Sequence, residues 1–570
     1  MSIATNLSDL TRSPNLVTDY FPFSNFRALR RALHLLMQAG KHDGPIPRIF
    51  GLVTDTSSRL MNFQPALWEA NSLKVNQLPP MGELQFDPIY NFTSIDVHSR
   101  TLNDPMCISE VAEVAKFDRI VKFGRPGWWA IYRHYPNKNM LEFARMKLTG
   151  MQNSDELFYG RLGRTADKTR LRLLSVLAPR LALTTGPYSR EAAEIVASHL
   201  AIVVSADHHR HFLSTTYPSE PLVAAASASL TVKRNGWTNT LSALTSYIQT
   251  GIVDAGYRGE LLTKILCLMA VDEAMSVERD KWPSPTYCPF AIPVKVSVFL
   301  NNLIAPPAGF ETFSDALRNT TIHDQRLERF LNGYIFFNHF IRMEEKLSMP
   351  ATVQAFNRCG AIQLQTNSAL IDHIIPVLLA QEDGSPPNFG PLHDDWIESE
   401  CAEARQHMGH IAINSKNFTN PVNWTDTYIT VNQSNVADSQ DPPGVMNNKL
   451  SMNILQEFGP RQAQEEHITI YPSRGKKKPL EDTTQLHVIL KELSDETYNA
   501  LKIPYIEPSA HEYLEKLRVA TSLYHADPAD SASGSISRDN IPIAFHYTST
   551  SKRTWREFMQ NRRMQVDQYL

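Results

Sequence analysis

The chain runs to 570 residues, 42% of them hydrophobic, which is more than one hydrophobic core organises and predicts two or three globular domains. Its 56 lysines and arginines against 59 acidic residues leave a formal net charge of -3, which excludes a whole-molecule field for polyanions and confines any nucleic-acid binding to local patches. Five cysteines (Cys107, Cys267, Cys288, Cys359 and Cys401), far apart and never spaced C-x-x-C, exclude a disulfide framework and a zinc ribbon and point to a reducing, intracellular setting, cytoplasmic or nuclear.

The opening residues lack a basic segment followed by an apolar run. The longest apolar stretch, 192–206, is interrupted by Glu194, Ser198 and His199, so neither secretion nor a membrane span is expected. In chain order, Ser24 caps a predicted amphipathic helix to about Gly40, with Phe26, Leu29, Leu33, Leu36 and Met37 on one face. Residues 44–135 are rich in proline and turn residues and predict short strands and loops. Helices are expected over 165–178, 189–205, 241–256 and 259–275; in the last, Leu261, Leu262, Ile265, Leu266 and Met269 describe a largely buried helix whose start carries Glu260.

A proline-rich break precedes the apolar segment 294–304, and an aromatic helix is expected over 326–342. The texture then changes to strands: 360–365, 371–379 and 410–414, with 467–471 and 485–490 beyond an exposed loop at 433–448 and ahead of a linker at 527–540. No fixed-period repeat is present.

Helices followed by a hairpin and further strands predict an α/β (α+β) fold with a mixed central sheet flanked by helices. Chemistry is concentrated in three places: Glu260 on a helix, Asp372 near the start of a strand, and Asn414-Ser415-Lys416 at the end of a later one. Alternation puts Asn414 and Lys416 on one face of their strand, the face expected to look toward Asp372, with the Glu260 helix packed across it. Carboxylates suit Mg²⁺, which binds through one or two protein acids plus substrate phosphate, and a lysine orients the attacking water. Read from spacing alone, these residues fit a site or ordinary surface charges.

Tyr217-Pro218-Ser219-Glu220-Pro221, Gly236-Trp237, the run from Ala255 to Ile265, Phe337-Asn338-His339-Phe340-Ile341, Asp372-His373-Ile374-Ile375-Pro376 and Ile413-Asn414-Ser415-Lys416-Asn417 together resemble a family of uncharacterised fungal proteins, mainly basidiomycete. The similarity covers roughly residues 190–525, and that family resembles in turn the PD-(D/E)XK restriction-endonuclease-like fold. The resemblance implies a nuclease-like protein hydrolysing nucleic acid with Mg²⁺, with Glu260, Asp372 and Lys416 catalytic and Glu260, Asp372 and Asn414 on the metal. It also implies a division into an N-terminal region of unknown role (1–190), a restriction-endonuclease-like core with insertions (191–525), and a linker with a basic tail (526–570). Asn414 departs from the pattern, which wants glutamate or glutamine there. The alternatives are therefore a fold of this type retained without cleavage as a nucleic-acid- or protein-binding module, and, from size and apolar content alone, a self-assembling structural protein.

Other signals are weaker. The histidine run Asp207-His208-His209-Arg210-His211 cannot converge on one zinc ion, and His339 reads as a satisfied core histidine. Basic clusters at 161–172, 476–478 and 552–563 read as solvated faces, the last with Trp555 and Phe558 interleaved as a single-strand binder would have. No phosphate-binding loop, G-x-S-x-G elbow or H-E-x-x-H helix occurs.

Overall fold

The computed structural model describes residues 111–519 apart from the internal segments 136–137, 160–165, 186–189, 207–212, 251–257, 283–285, 321–324, 344–348, 365–370, 382–406, 417–450, 459–460, 462–465 and 473–484. All of the described residues lie in one compact unit, Pro80–Leu570. The expected helix at 24–40, the histidine run, the triple lysine at 476–478 and the basic tail lie outside the described residues.

The helices that build the unit are α1 (Pro126–His134), α2 (Met140–Thr149), α3 (Ala166–Leu181), α4 (Arg190–Ser198), α5 (Pro221–Thr231), α6 (Gly236–Gln249), α7 (Arg258–Glu278), α8 (Val296–Leu303), α9 (Phe313–Thr320), α10 (Gln325–Leu331), α11 (Met349–Asn357) and α12 (Pro508–Val519). The strands β1 (Ile202–Ala206) and β2 (Leu213–Thr216) form a separate antiparallel pair. The remainder are β3 (Val294–Lys295), β4 (Tyr334–Ile335), β5 (His339–Arg342), β6 (Gly360–Gln363), β7 (His373–Leu378), β8 (Met408–Lys416), β9 (Ser451–Glu457), β10 (Ile468–Pro472) and β11 (Gln485–Lys491).

Among the described residues these last nine make one curled mixed sheet in the order β10-β11-β9-β8-β7-β4-β3. It forks at β7, whose start pairs with β6 and whose end pairs with β4. The β6–β7 and β7–β8 pairings are antiparallel, β9 runs parallel to β8, and β5 runs parallel to β6.

Side-chain alternation gives the sheet two faces. Ile362 and Ile374 are register partners and meet Ile341 and Ala355 in an apolar cluster under α11. On the other face lies α7, whose Thr263 hydroxyl reaches Ser415 at 2.6 Å and Gln456 at 2.5 Å. The interior run of α7, Leu261–Leu262 and Ile265–Met269, is buried, as its all-round apolar pattern requires.

Four expectations are corrected. The aromatic segment 326–342 is not one helix: α10 ends at Leu331, and β4 and β5 follow. At Gly333 the chain runs so close to β7 that an added Cβ would lie 2.7 Å from the Leu378 carbonyl, and the buried Phe336, Phe337 and Phe340 fill the core. The stretch 189–205 divides after Ser198, where Leu200 takes a left-handed φ of 66° and β1 begins. The helix expected over 241–256 spans 236–249 instead. Residues 111–134 hold two single-turn helices, Val111–Val114 and Phe117–Ile120, and then α1, where Pro126 supplies the first turn of a helix and not a turn between strands.

Contacts cross residue 190. Arg180 on α3 donates to Asp272 on α7 through two bonds, 2.7 and 2.6 Å, with both side chains fully buried. The described cysteines Cys267, Cys288 and Cys359 are free and buried. No helix among the described residues is long and apolar enough to cross a membrane.

Gly236 opens α6 directly after Asn235, which has a φ of 61°. A Cβ there would stand 2.3 Å from the Thr231 carbonyl and 2.5 Å from that of Leu230, both backbone atoms that cannot swing away. Gly236→Ala is expected to lower stability by about 1–3 kcal/mol despite alanine's better helix propensity, an outcome read in denaturant melts.

Candidate functional site

Glu260 sits in the first turn of α7 and Asp372 immediately before β7, and the charge of Asp372 is felt at Glu260. The last residue of β6 makes the link on one side: the Gln363 amide donates to Glu260 Oε2 at 2.9 Å. The start of the β7–β8 pairing makes it on the other: the Ser415 N–H donates to Asp372 Oδ2 at 2.7 Å. Gln363 lies across from His373 in the β6–β7 register, so the elements that hold the two acids are hydrogen-bonded neighbours.

Both carboxyls are raised above their ordinary values. Burial is the main cause at Glu260, Asp372 adds to it, and Lys264, the Gln363 amide and Arg342 oppose it. At Asp372 burial raises the carboxyl, while the Ser415 N–H, Lys416 and the Ser415 hydroxyl pull it down. Two like charges that feel each other in a partly dry site cost free energy that a shared cation would return.

Lys264, one turn beyond Glu260, is 2% exposed, and burial pulls its ammonium down to about 7 with Glu260 opposing. Arg342 at the end of β5 is exposed and register-paired with Gln363, and its charge is felt at both Glu260 and Lys264.

The charge of Asp372 thus bears on Glu260, and the charge of Lys416 bears on Asp372. The faces differ from expectation. Ser415 is the strand residue that meets α7, so alternation turns Asn414 and Lys416 to the opposite face, Asn414 fully buried and Lys416 half-buried. Asp372, ahead of the strand proper, is held at Oδ2 by the Ser415 N–H. Among the described residues no three His, Cys, Asp or Glu side chains group as a metal-binding set.

Lys264, Gln363 and Arg342 belong to the site without having stood out in the sequence, and Ser415 stood out only as the middle of Asn414-Ser415-Lys416. The Glu260/Lys264 spacing of four residues was the visible signal, and it is indistinguishable from a solvated helix pair until burial is known.

His339 is the satisfied core histidine its setting suggested. Its Nε2 meets the Ser219 hydroxyl at 2.8 Å, its Nδ1 meets Asn338 Oδ1 at 2.8 Å, and the Arg358 guanidinium donates to the Ser219 carbonyl at 2.9 Å. Two of the quoted motif segments, around Ser219 and around His339, are joined here inside the core. Burial first, then Arg358 and Arg180, drive His339 down to about 3. The unfolded chain takes up this proton near pH 6.5 while the native state refuses it until about pH 3, so stability falls as pH drops across that window. His339→Gln should flatten the slope of unfolding free energy between pH 4 and 6 by about 1.4 kcal/mol per pH unit, whatever its effect on absolute stability.

The fold and site define a mixed α/β protein with a carboxylate pair between a buried helix and a forked sheet. A family model described as a domain of unknown function (DUF8736) matches residues 165–284, a span that contains α3, α5, α6 and α7 with Glu260 and Lys264. Comparison with curated proteins and with solved structures returned no match.

Proposed function

We propose that the protein is a nuclease-like enzyme of restriction-endonuclease-like architecture that hydrolyses phosphodiester bonds of nucleic acid with a divalent cation at Glu260 and Asp372. One observation carries the reading: two acids from separate elements are held in electrostatic contact by dedicated donors, Gln363 and the Ser415 N–H, although burial raises both carboxyls. The order of elements supports it. The helix bearing one acid precedes, beyond β3 to β5 and α8 to α11, three antiparallel strands, β6, β7 and β8, with the second acid at the head of the middle one, and β9, parallel to β8, comes after them.

Mg²⁺ suits such a pair because it binds through one or two carboxylates and fills its remaining positions with water and substrate phosphate, and when bound it supplies an activated water. Glu260 and Asp372 would hold it. Lys416, whose charge already offsets Asp372, would orient the attacking water, and Arg342, exposed beside Gln363, would take a phosphate oxygen.

The full chain is expected to cut plasmid DNA, single-stranded DNA or RNA in Mg²⁺ or Mn²⁺, and Lys416→Ala to slow this by about 100-fold or more. Cleavage that survives that substitution removes Lys416 from the site. A second reading, a binding module of the same fold without cleavage, is favoured by Asn414, a neutral amide buried on the face away from α7. A parent without cleavage and an Asn414→Glu variant that gains it would establish that reading.

A further inference from the structure

We infer that Lys264 and Gln363 are positioning residues for Glu260, acting in series as a charge-anchored amide relay; this rests on the proposed cation site. A glutamine amide between two partners has two orientations, and here Lys264 selects one. Its Nζ donates to Gln363 Oε1 at 3.0 Å, which leaves Nε2 as the end that donates to Glu260 Oε2 at 2.9 Å. The flipped amide would set its NH₂ against an ammonium and its carbonyl against a carboxylate.

Lys264 is itself fixed from a third element. Its Nζ donates to the Leu181 carbonyl at 2.6 Å, and Leu181 is the last residue of α3, followed by Ala182 with a left-handed φ of 48°. Carbonyls in the last turn of a helix have no partner within it and carry the negative end of its dipole, so a buried ammonium is well placed there. The chain of contacts therefore runs from the end of α3 through α7 to β6 and back to the first turn of α7. Glu260 and Lys264, four residues apart on one helix face, meet through Gln363 rather than as a surface pair.

Groups that orient a metal-binding side chain typically contribute 10–100-fold to metal affinity. The test is Mn²⁺ titration followed by electron paramagnetic resonance on the full chain, with thermal melting without metal to confirm folding, for the parent, Lys264→Met, Gln363→Met and the double variant. Each single variant is expected to bind Mn²⁺ about 10–100-fold more weakly, and the double variant no more weakly than the weaker single, because a relay is broken once. A purely structural anchor would move the melting temperature and leave Mn²⁺ affinity alone. Should Lys264→Met fail to fold, Gln363→Met decides alone. Folded single variants that bind Mn²⁺ within about twofold of the parent, a fifth or less of the expected loss, overturn the relay and leave the cation site standing. A parent that binds no Mn²⁺ at millimolar concentration overturns the cation site and the relay together.

Discussion

Asp272→Ala is expected to cost about 3–5 kcal/mol of folding stability, enough to lower the apparent melting temperature of the described unit by several degrees. The cause is the charge left behind. Arg180 is fully buried, and besides its two bonds to Asp272 it donates from Nε to the Asn338 carbonyl at 2.9 Å and from Nη1 to the Thr231 hydroxyl at 3.3 Å, with its guanidinium 5.9 Å from the Trp237 ring centre. Those neighbours satisfy donors but do not neutralise a cation. The intact pair contributes little net stability, because burial raises the Asp272 carboxyl even against its arginine partner. Replacing both by apolar residues, as in Arg180→Met with Asp272→Leu, should therefore recover most of the loss. Chemical denaturation of the three variants separates the cases, and a double variant as unstable as Asp272→Ala would show that the pair itself, not the orphaned charge, carries the stability.

Asp372→Asn is expected to abolish the proposed cleavage, by more than the roughly 100-fold that marks the upper end for loss of an outer partner, while leaving the protein at least as stable as the parent. The sign follows from the raised carboxyl. A folded-state value above the unfolded one means the native state prefers the protonated form, so the ionised acid is a cost at pH 7 that is relieved as pH falls through the raised value. Asparagine is neutral at every pH and its Oδ1 still accepts the Ser415 N–H, so that cost disappears and the hydrogen bond stays. The pairing of lost activity with an unchanged or higher melting temperature is what a residue kept for function produces. A variant that loses activity and melts early would instead mark Asp372 as a structural cap on the β7–β8 pairing.

Several elements were legible without coordinates. The apolar run beginning at Leu261 predicts a buried helix, and α7 spans 258–278 with that run inside the core. The β-rich segments after residue 360 predict strands, and β6, β7 and β8 lie within them or extend them by a few residues. Glu260 and Asp372 stood out as a helix acid and a strand-start acid, each in a motif dense with apolar neighbours.

Local sequence has no means of deciding the rest. Aromatic residues at 334–342 satisfy a helical period or a buried strand equally well, and only the pairing of β4 with β7 and of β5 with β6 settles it as strand. Which face Asn414 and Lys416 take depends on where α7 lands, through Thr263 on Ser415, 152 residues away. Lys264 and Gln363, 99 residues apart, meet because β6 is threaded beside α7. Residue types, helix spacing and strand alternation are properties of neighbours in the chain, and those the sequence by itself determined. The partners of each polar group, and so the charge each can hold, depend on burial and on chain segments far apart in the sequence, and those only the tertiary structure decided.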